Sequence, residues 1–156
     1  MATKKMALIA TKGTLDMAYP PFILASTAAA LGWEVQIFFT FYGLQLLRNS
    51  LDDIKISPLA NPAMPMPVPM PVLVQILPGM ESMATMMMKN KMKSKGVASL
   101  QELRDLCLEA DVKFVACQMT VDLFEFQTSE FIKDVEYGGA ATFMKFAGES
   151  DVCLFI

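Results

Sequence analysis

The stretch Val112-Lys113-Phe114-Val115-Ala116-Cys117-Gln118-Met119-Thr120-Val121-Asp122-Leu123-Phe124 decides the fold. Its first half is a short apolar run that predicts a buried strand, and its second half predicts a helical turn. A thiol is thereby set at the C-terminal tip of a strand, facing the start of a helix. In open α/β sheets ligands bind beyond the carboxyl ends of the strands. Unpaired N–H groups at a helix start favour an anion, so a cysteine there ionises more readily, and the thiolate is the reactive form. The competing reading of Cys117 is a small buried hydrophobe, since free cysteine is among the most buried residue types.

Upstream of this stretch, Ser99-Leu100-Gln101-Glu102 predicts a capping box with Ser99 as N-cap. The helix it opens sets Leu100, Leu103, Cys107 and Ala110 at core spacing and leads directly into the Cys117 strand. Near the start of the chain, Lys5 to Ala10 reads as a first strand and Thr11 to Asp16 as a loop. A helix is expected to begin near Pro20 or Pro21, where proline is tolerated in a first turn, and to stop at Gly32. Glu34 to Phe39 is β-rich and gives a second strand, so the order strand, helix, strand implies a parallel pair with a right-handed crossover. Phe41 to Asn49 reads as a short helix, and Leu51 to Ser57 fits no single element. Past Cys117, a helical piece around Ser129 to Lys133 precedes a short strand at Val135 to Tyr137. Gly138-Gly139 then leads into a helix from Ala140 to Ala147, and Asp151 to Ile156 reads as a closing apolar strand. The total is about five strands with helices between them, a single and mostly parallel α/β sheet. The whole of 1–156 reads as one domain, with a Pro/Met-rich insertion at about 57–80.

That insertion is unusual. Asn61 to Pro71 alternates proline with Met and Val, which favours an extended polyproline-like path. A solvated linker would carry Ser, Gly or charges, so this segment is expected to pack on its own domain or on a neighbouring subunit. Nine of the 14 methionines fall between Met64 and Met92. Met80, Met83 and Met87 share one helical face, while Lys89, Lys91 and Lys93 gather at the C-terminal end, where cations suit the helix dipole. A methionine face is more often core or oligomer packing than an adaptable binding surface.

Composition narrows the chemistry. The chain has 156 residues, a net charge of −3 and no basic stripe, which argues against a nucleic-acid partner. It has no histidine, which removes the commonest general base and metal ligand and excludes a Cys–His pair or a Ser–His–Asp triad within one chain. A Cys/His zinc site is excluded within one chain as well. What remains as a nucleophile is a thiol activated by backbone dipoles, Lys or Arg. The three cysteines, Cys107, Cys117 and Cys153, do not look like a secreted disulfide framework, and the first residues lack an apolar signal core. These features predict a reduced, cytoplasmic protein. Cys153 lies inside the final strand and reads as structural. No stretch makes a membrane span: the uncharged run from Ser57 to Met80 holds seven prolines. The 54% hydrophobic content fits a face buried in an oligomer or against a membrane surface.

Several segments resemble the DsrE/DsrF/DsrH-like family, and within it the subgroup often labelled "peroxiredoxin family protein". They are Met6 to Asp16, the Met-Met-Met-Lys run at 86–89, Val115-Ala116-Cys117-Gln118-Met119-Thr120, Gly138-Gly139-Ala140-Ala141 and the closing Leu154-Phe155-Ile156. Ala-Cys-Gln-Met-Thr is the most specific of them. The resemblance implies a flavodoxin-like three-layer sandwich with helices on both faces, assembled as a homo-oligomer. It also implies sulfur handling: a cysteine persulfide or thiosulfonate exchanged with TusA-like carriers, for some members near heterodisulfide-reductase-like enzymes. Cys117 maps onto the sulfur-bearing position. Cys107 matches a second cysteine found in part of the family, where it either resolves the adduct to a disulfide or only packs.

The mechanism so implied is attack of the Cys117 thiolate on a sulfur atom of a carrier persulfide, a carrier-bound thiosulfate or tetrathionate. Thiol exchange of this kind needs no metal or organic cofactor. The adduct is anionic, and the loop N–H groups at Gly13 and Thr14, with Lys12, are candidates to hold it. Two rivals stand beside this reading. One is a non-catalytic binding module that docks a partner protein or a membrane through the Met/Pro-rich surface. The other is a small-molecule binder at the strand tips, although Lys12-Gly13-Thr14 is too short for a P-loop.

Overall fold

The computed structural model describes residues 2–58, 68 and 71–156. The polyproline-like path expected of 61–71 falls, but for Val68 and Pro71, outside the described residues. Five strands form one sheet: β1 (Lys5–Ala10), β2 (Glu34–Phe39), β3 (Lys113–Cys117), β4 (Val135–Gly138) and β5 (Val152–Phe155). Their order is β4-β3-β2-β1-β5 and every pairing is parallel. The sheet is therefore wholly parallel where the sequence implied mostly parallel. The helices are α1 (Leu15–Ala30), α2 (Met80–Ser94), α3 (Leu100–Glu109), α4 (Gln118–Leu123) and α5 (Ala140–Ala147).

Strand alternation sorts the core into two layers. Leu8, Ile37, Phe39, Phe114 and Ala116 face one side, where Phe22 and Ala25 of α1 and Leu100 and Cys107 of α3 complete a large cluster. Phe22, Phe39 and Phe114 form its aromatic centre, with ring centroids 5.2–6.1 Å apart. Ala7, Phe38, Val115 and Cys117 face the other side, which is covered among the described residues by Phe143, Phe146 and Ala147 of α5. Phe38 stacks on Phe143 at 4.9 Å. The result is a three-layer α/β sandwich, thick on one face and thin on the other.

Several elements depart from the sequence reading. α1 begins at Leu15, so Pro20 and Pro21 lie inside it rather than at its start. Each proline deletes one backbone bond of the helix. The first turn is nonetheless held from outside: the Leu15 N–H donates to the Lys55 carbonyl at 2.7 Å, the Tyr19 hydroxyl donates to the Ala98 carbonyl at 3.0 Å, and Leu15, Ala18 and Phe22 are buried. Phe41–Leu47 is a 3₁₀ helix, as is Thr128–Glu130. The Met80, Met83 and Met87 face of α2 does not pack on the core: Met83 and Met87 are exposed, and the helix docks through Ala84, Thr85, Met88 and Met92. The Thr85 hydroxyl accepts the Ile56 N–H at 3.0 Å, which fixes that orientation. Cys153 is exposed on the edge strand β5, so it is no core residue.

The capping box at Ser99 forms as read: Ser99 Oγ accepts the Glu102 N–H at 3.2 Å and Glu102 accepts the Ser99 N–H at 2.6 Å. Unforeseen is Arg104, only 1% exposed on the core face of α3. Its Nη1 donates to the carbonyls of Leu46 (2.9 Å) and Arg48 (2.6 Å), its Nη2 donates to Gln101 (3.1 Å), and its Nε has no partner among the described residues.

Candidate functional site

The register sets the site. Phe39 of β2 lies beside Ala116 of β3, so Thr40 and Cys117 occupy the next rung at the C-terminal edge, with Gly138 of β4 beside Cys117. Strand alternation turns Cys117 to the thin face of the sheet, where it is 5% exposed. The same residue is the N-cap of α4, and no side chain caps that helix, so the first-turn N–H groups are left for the sulfur.

Burial pushes the Cys117 thiol up. The hydroxyl and N–H of Thr120, the hydroxyl of Thr40 and the N–H of Met119 outweigh it, and the thiol ends below the ordinary cysteine range. Thr120 is fully buried; its hydroxyl lies 3.1 Å from that of Thr40 and accepts the Phe41 N–H at 3.4 Å. Sequence reasoning missed both threonines. The Cys-x-x-Thr spacing was the available signal for Thr120, since it sets the hydroxyl one helical turn past the sulfur; Thr40 is found only through the strand register.

Cys107 is not brought to Cys117. It sits between α1 and α3 on the opposite, thick face of the sheet, with its Sγ donating to the Phe22 carbonyl at 3.4 Å. Burial pushes its thiol up to about 12. Lys12, Gly13 and Thr14 lie at the same edge of the sheet as Cys117 but two strands away, lining a groove of about 540 Å³ with Asp16, Tyr42 and Ser57. Cys117 does not line that groove. Gly13 belongs there for close packing: a Cβ on it would strike the Tyr42 carbonyl, as one on Gly43 would strike the Ala10 carbonyl. Gly43→Ala is expected to lower stability by about 1–3 kcal/mol through forced overpacking, read as a fall in the urea midpoint.

Asp16 already places a carboxylate in the first turn of α1. It accepts the Ser57 N–H at 2.9 Å and the Ser57 hydroxyl at 2.8–2.9 Å. Burial pushes the carboxyl up, but Ser57, its own N–H and the Thr14 hydroxyl pull it below the ordinary aspartate range. A depressed carboxyl stabilises the fold fully above the ordinary value of 3.8 and loses that contribution as pH falls through the lower folded value. Partly open to water, the carboxylate is screened, so Asp16→Asn is expected to cost at most about 1 kcal/mol at pH 7. The gap to the parent should close in urea titrations as the pH is taken below the aspartate range.

Around the thiol the surface is apolar. Met119, Leu123 and Phe124 of the α4 segment and Phe41 and Tyr42 of the 3₁₀ turn are exposed. The Phe124 ring stacks on Tyr42 at 6.0 Å and meets Phe41 edge-on at 6.2 Å. Phe41 holds a positive φ of 49°, a region bulky residues rarely adopt.

Residues 2–155 match the model of the DsrE/DsrF/DrsH-like family. The chain is 66% identical over 160 residues, 100% of each chain, to the sulfur carrier protein DsrE2 of Allochromatium vinosum. It is 35% identical over 158 residues to the uncharacterized protein YrkE of Bacillus subtilis (strain 168), covering 99% of this chain and 98% of that one. Among solved structures, the crystal structure of the YchN protein from E. coli superposes with a TM-score of 0.58 over 99% of this chain and 100% of that one. At 11% identity this is a likeness of fold.

Proposed function

The chain belongs to the DsrE/DsrF/DrsH-like family, and from that premise we propose that it is a sulfur-transfer protein carrying sulfane sulfur or thiosulfonate on Cys117. The observation that carries the reading is a cysteine at a strand tip and helix start whose hydrogen-bonding surroundings overcome burial and favour the thiolate. The full-length similarity to a protein named as a sulfur carrier supports the cargo. In the persulfide form of the step, the Cys117 thiolate attacks the outer sulfur of a donor R–S–S⁻. The new Cys117–S bond forms as the donor S–S bond breaks, and R–S⁻ leaves with the electron pair. Attack on the sulfur that bears the sulfonate in a carrier-bound thiosulfate, R–S–S–SO₃⁻, gives Cys117–S–S–SO₃⁻ and R–S⁻ in the same way. An acceptor thiolate then reverses the exchange and frees Cys117, and no net oxidation occurs.

The exposed apolar residues flanking Cys117 are the proposed landing surface for a TusA-like carrier or a heterodisulfide-reductase-like partner. The Lys12–Thr14 loop is proposed to meet the anionic end of the donor, with Lys12 exposed at the same sheet edge. The buried, high-pKa Cys107 favours packing over the resolving role. A homo-oligomer is supported by the thinly covered sheet face, where Phe155 is 73% exposed and Met144 of α5 is open. Among the described residues no helix is long and apolar enough to cross a membrane. A cytoplasmic site of action is the proposed setting, in keeping with three free cysteines. The second reading, a binding module, draws on exposed Met83, Met86 and Met87 of α2 and exposed Leu73 and Ile76 before it.

Intact-mass spectrometry of the reduced protein after polysulfide, thiosulfate and tetrathionate tests the proposal. One adduct per chain, mapped by peptide digestion to Cys117 and lost on adding an acceptor thiol, is the expected result. No adduct, or one spread over all three cysteines, overturns it in favour of the binding module.

A further inference from the structure

We propose that Thr40 and Thr120 are positioning residues, a paired hydroxyl relay that delivers one hydrogen to the Cys117 sulfur and holds it as a thiolate through each round of sulfur transfer. The inference rests on Cys117 being the sulfur-bearing residue and adds the groups that set its reactivity.

It follows from counting donors. The two hydroxyls lie 3.1 Å apart and carry two hydrogens between them. One hydrogen is used in their mutual bond, and in either polarity of that bond one is left over. Thr120 is fully buried, so water cannot take the spare hydrogen there. The Phe41 N–H, at 3.4 Å, fills an acceptor position on the Thr120 oxygen, and a Thr40 hydroxyl donated to Thr120 fills the second. Thr120 is then left with a single free function, its hydrogen, and accepting two bonds makes it a better donor. The sulfur is the acceptor the topology sets beside this hydroxyl: Cys117 is the N-cap of α4 and Thr120 its third helical residue, while Thr40 and Cys117 each follow the last registered β2–β3 pair, Phe39 with Ala116. Whichever hydroxyl holds the spare hydrogen, its donation favours the thiolate, and it works with the Thr120 and Met119 N–H groups to hold the thiol below the ordinary cysteine range. The strained backbone of Phe41 stands where the relay needs its N–H turned toward Thr120.

The relay matters at the second half of the exchange. When an acceptor attacks the outer sulfur of Cys117–S–S⁻, the Cys117 thiolate is the leaving group, and a thiol of lower pKa leaves faster. Groups that favour the thiolate therefore speed unloading.

The test is the pH profile of Cys117 alkylation by iodoacetamide, followed by intact mass, in a Cys153→Ser background that removes the exposed thiol. Thr120→Val keeps the shape and loses the hydroxyl; Thr120→Ser keeps the hydroxyl and loses the methyl. The relay predicts an upward shift of the midpoint by about one pH unit in the Val variant, roughly tenfold less thiolate below the midpoint, and a near-parental profile in the Ser variant. Thr40→Val shifts in the same direction. A packing role predicts the opposite ranking, with Val parental and Ser impaired, and that result, or parental profiles in both Val variants, overturns the relay. Polysulfide loading is read in the same samples. A parent that takes no sulfur on Cys117 removes the carrier reading, whereas a parent that loads beside an unshifted Thr120→Val removes only the relay.

Discussion

Cys117→Ser leaves the protein folded and unable to take up sulfur: its intact mass stays unchanged after polysulfide, thiosulfate and tetrathionate. Serine fits the 5%-exposed site with little change of volume, and its hydroxyl can still accept the first-turn N–H groups of α4, so stability falls little. Chemistry is what is lost. A serine hydroxyl is far too weak an acid to give an anion at neutral pH, and the histidine that would activate it elsewhere is missing from the chain. The paired control is Cys107→Ser, which retains full loading. With its thiol pushed up to about 12, Cys107 is ionised in only about one molecule in 10⁵ at pH 7, and it lies on the far side of the sheet. That variant should instead lose on the order of 1–2 kcal/mol of stability, because a hydroxyl replaces a sulfur inside the aromatic cluster. Undiminished loading of Cys117→Ser, or loss of loading in Cys107→Ser, would reverse the assignment of the two thiols.

Arg104→Ala is expected to carry the largest stability penalty of any substitution named here, on the order of 3–5 kcal/mol in urea unfolding. Among the described residues the guanidinium forms no salt bridge, and burial lowers its pKa although Asp105 acts against that. Its worth lies in two donated bonds to the Leu46 and Arg48 carbonyls at the end of the Phe41–Leu47 turn. That segment is also tied to the loop before β4, through the Ile132 N–H to the Leu47 carbonyl and the Asn49 N–H to the Glu130 carbonyl, each 2.9 Å. Truncation opens a cavity and strands two carbonyls at once. Arg104→Met separates these effects: it refills most of the volume and leaves the carbonyls unpaired, so about half the loss should return. If Arg104→Met is as damaging as Arg104→Ala, the carbonyl contacts account for the whole effect.

Much of the fold was legible from local pattern. The strand–helix order, the capping box at Ser99 and the placing of Cys117 at a strand tip all follow from signals a few residues long. What escaped needed the third dimension. Pro20 and Pro21 read as a helix start because the ties from Lys55, Ser57 and Ala98 that hold the turn before them come from distant chain. Arg104 drew no reading, because its burial is explained only by carbonyls more than fifty positions away. Cys153 read as structural because an apolar strand looks the same at the centre of a sheet as at its edge. At the site, Cys117 was visible and its two threonines were not: Thr120 is local but unremarkable in type, and Thr40 meets the sulfur through a register that no spacing reveals.

The place of β5 has a consequence for how the chain is made. β1 lies between β2 and β5, and Lys5 bonds to Asp151 across 146 positions of sequence. During synthesis β1 gains one neighbour early and waits for the other until the chain through Phe155 has been built. In that interval the growing sheet presents the bare flank of an apolar strand, open to pairing with another nascent copy. Parallel pairing with long loops is slow to form in any case. That flank stays open until β5 pairs with β1.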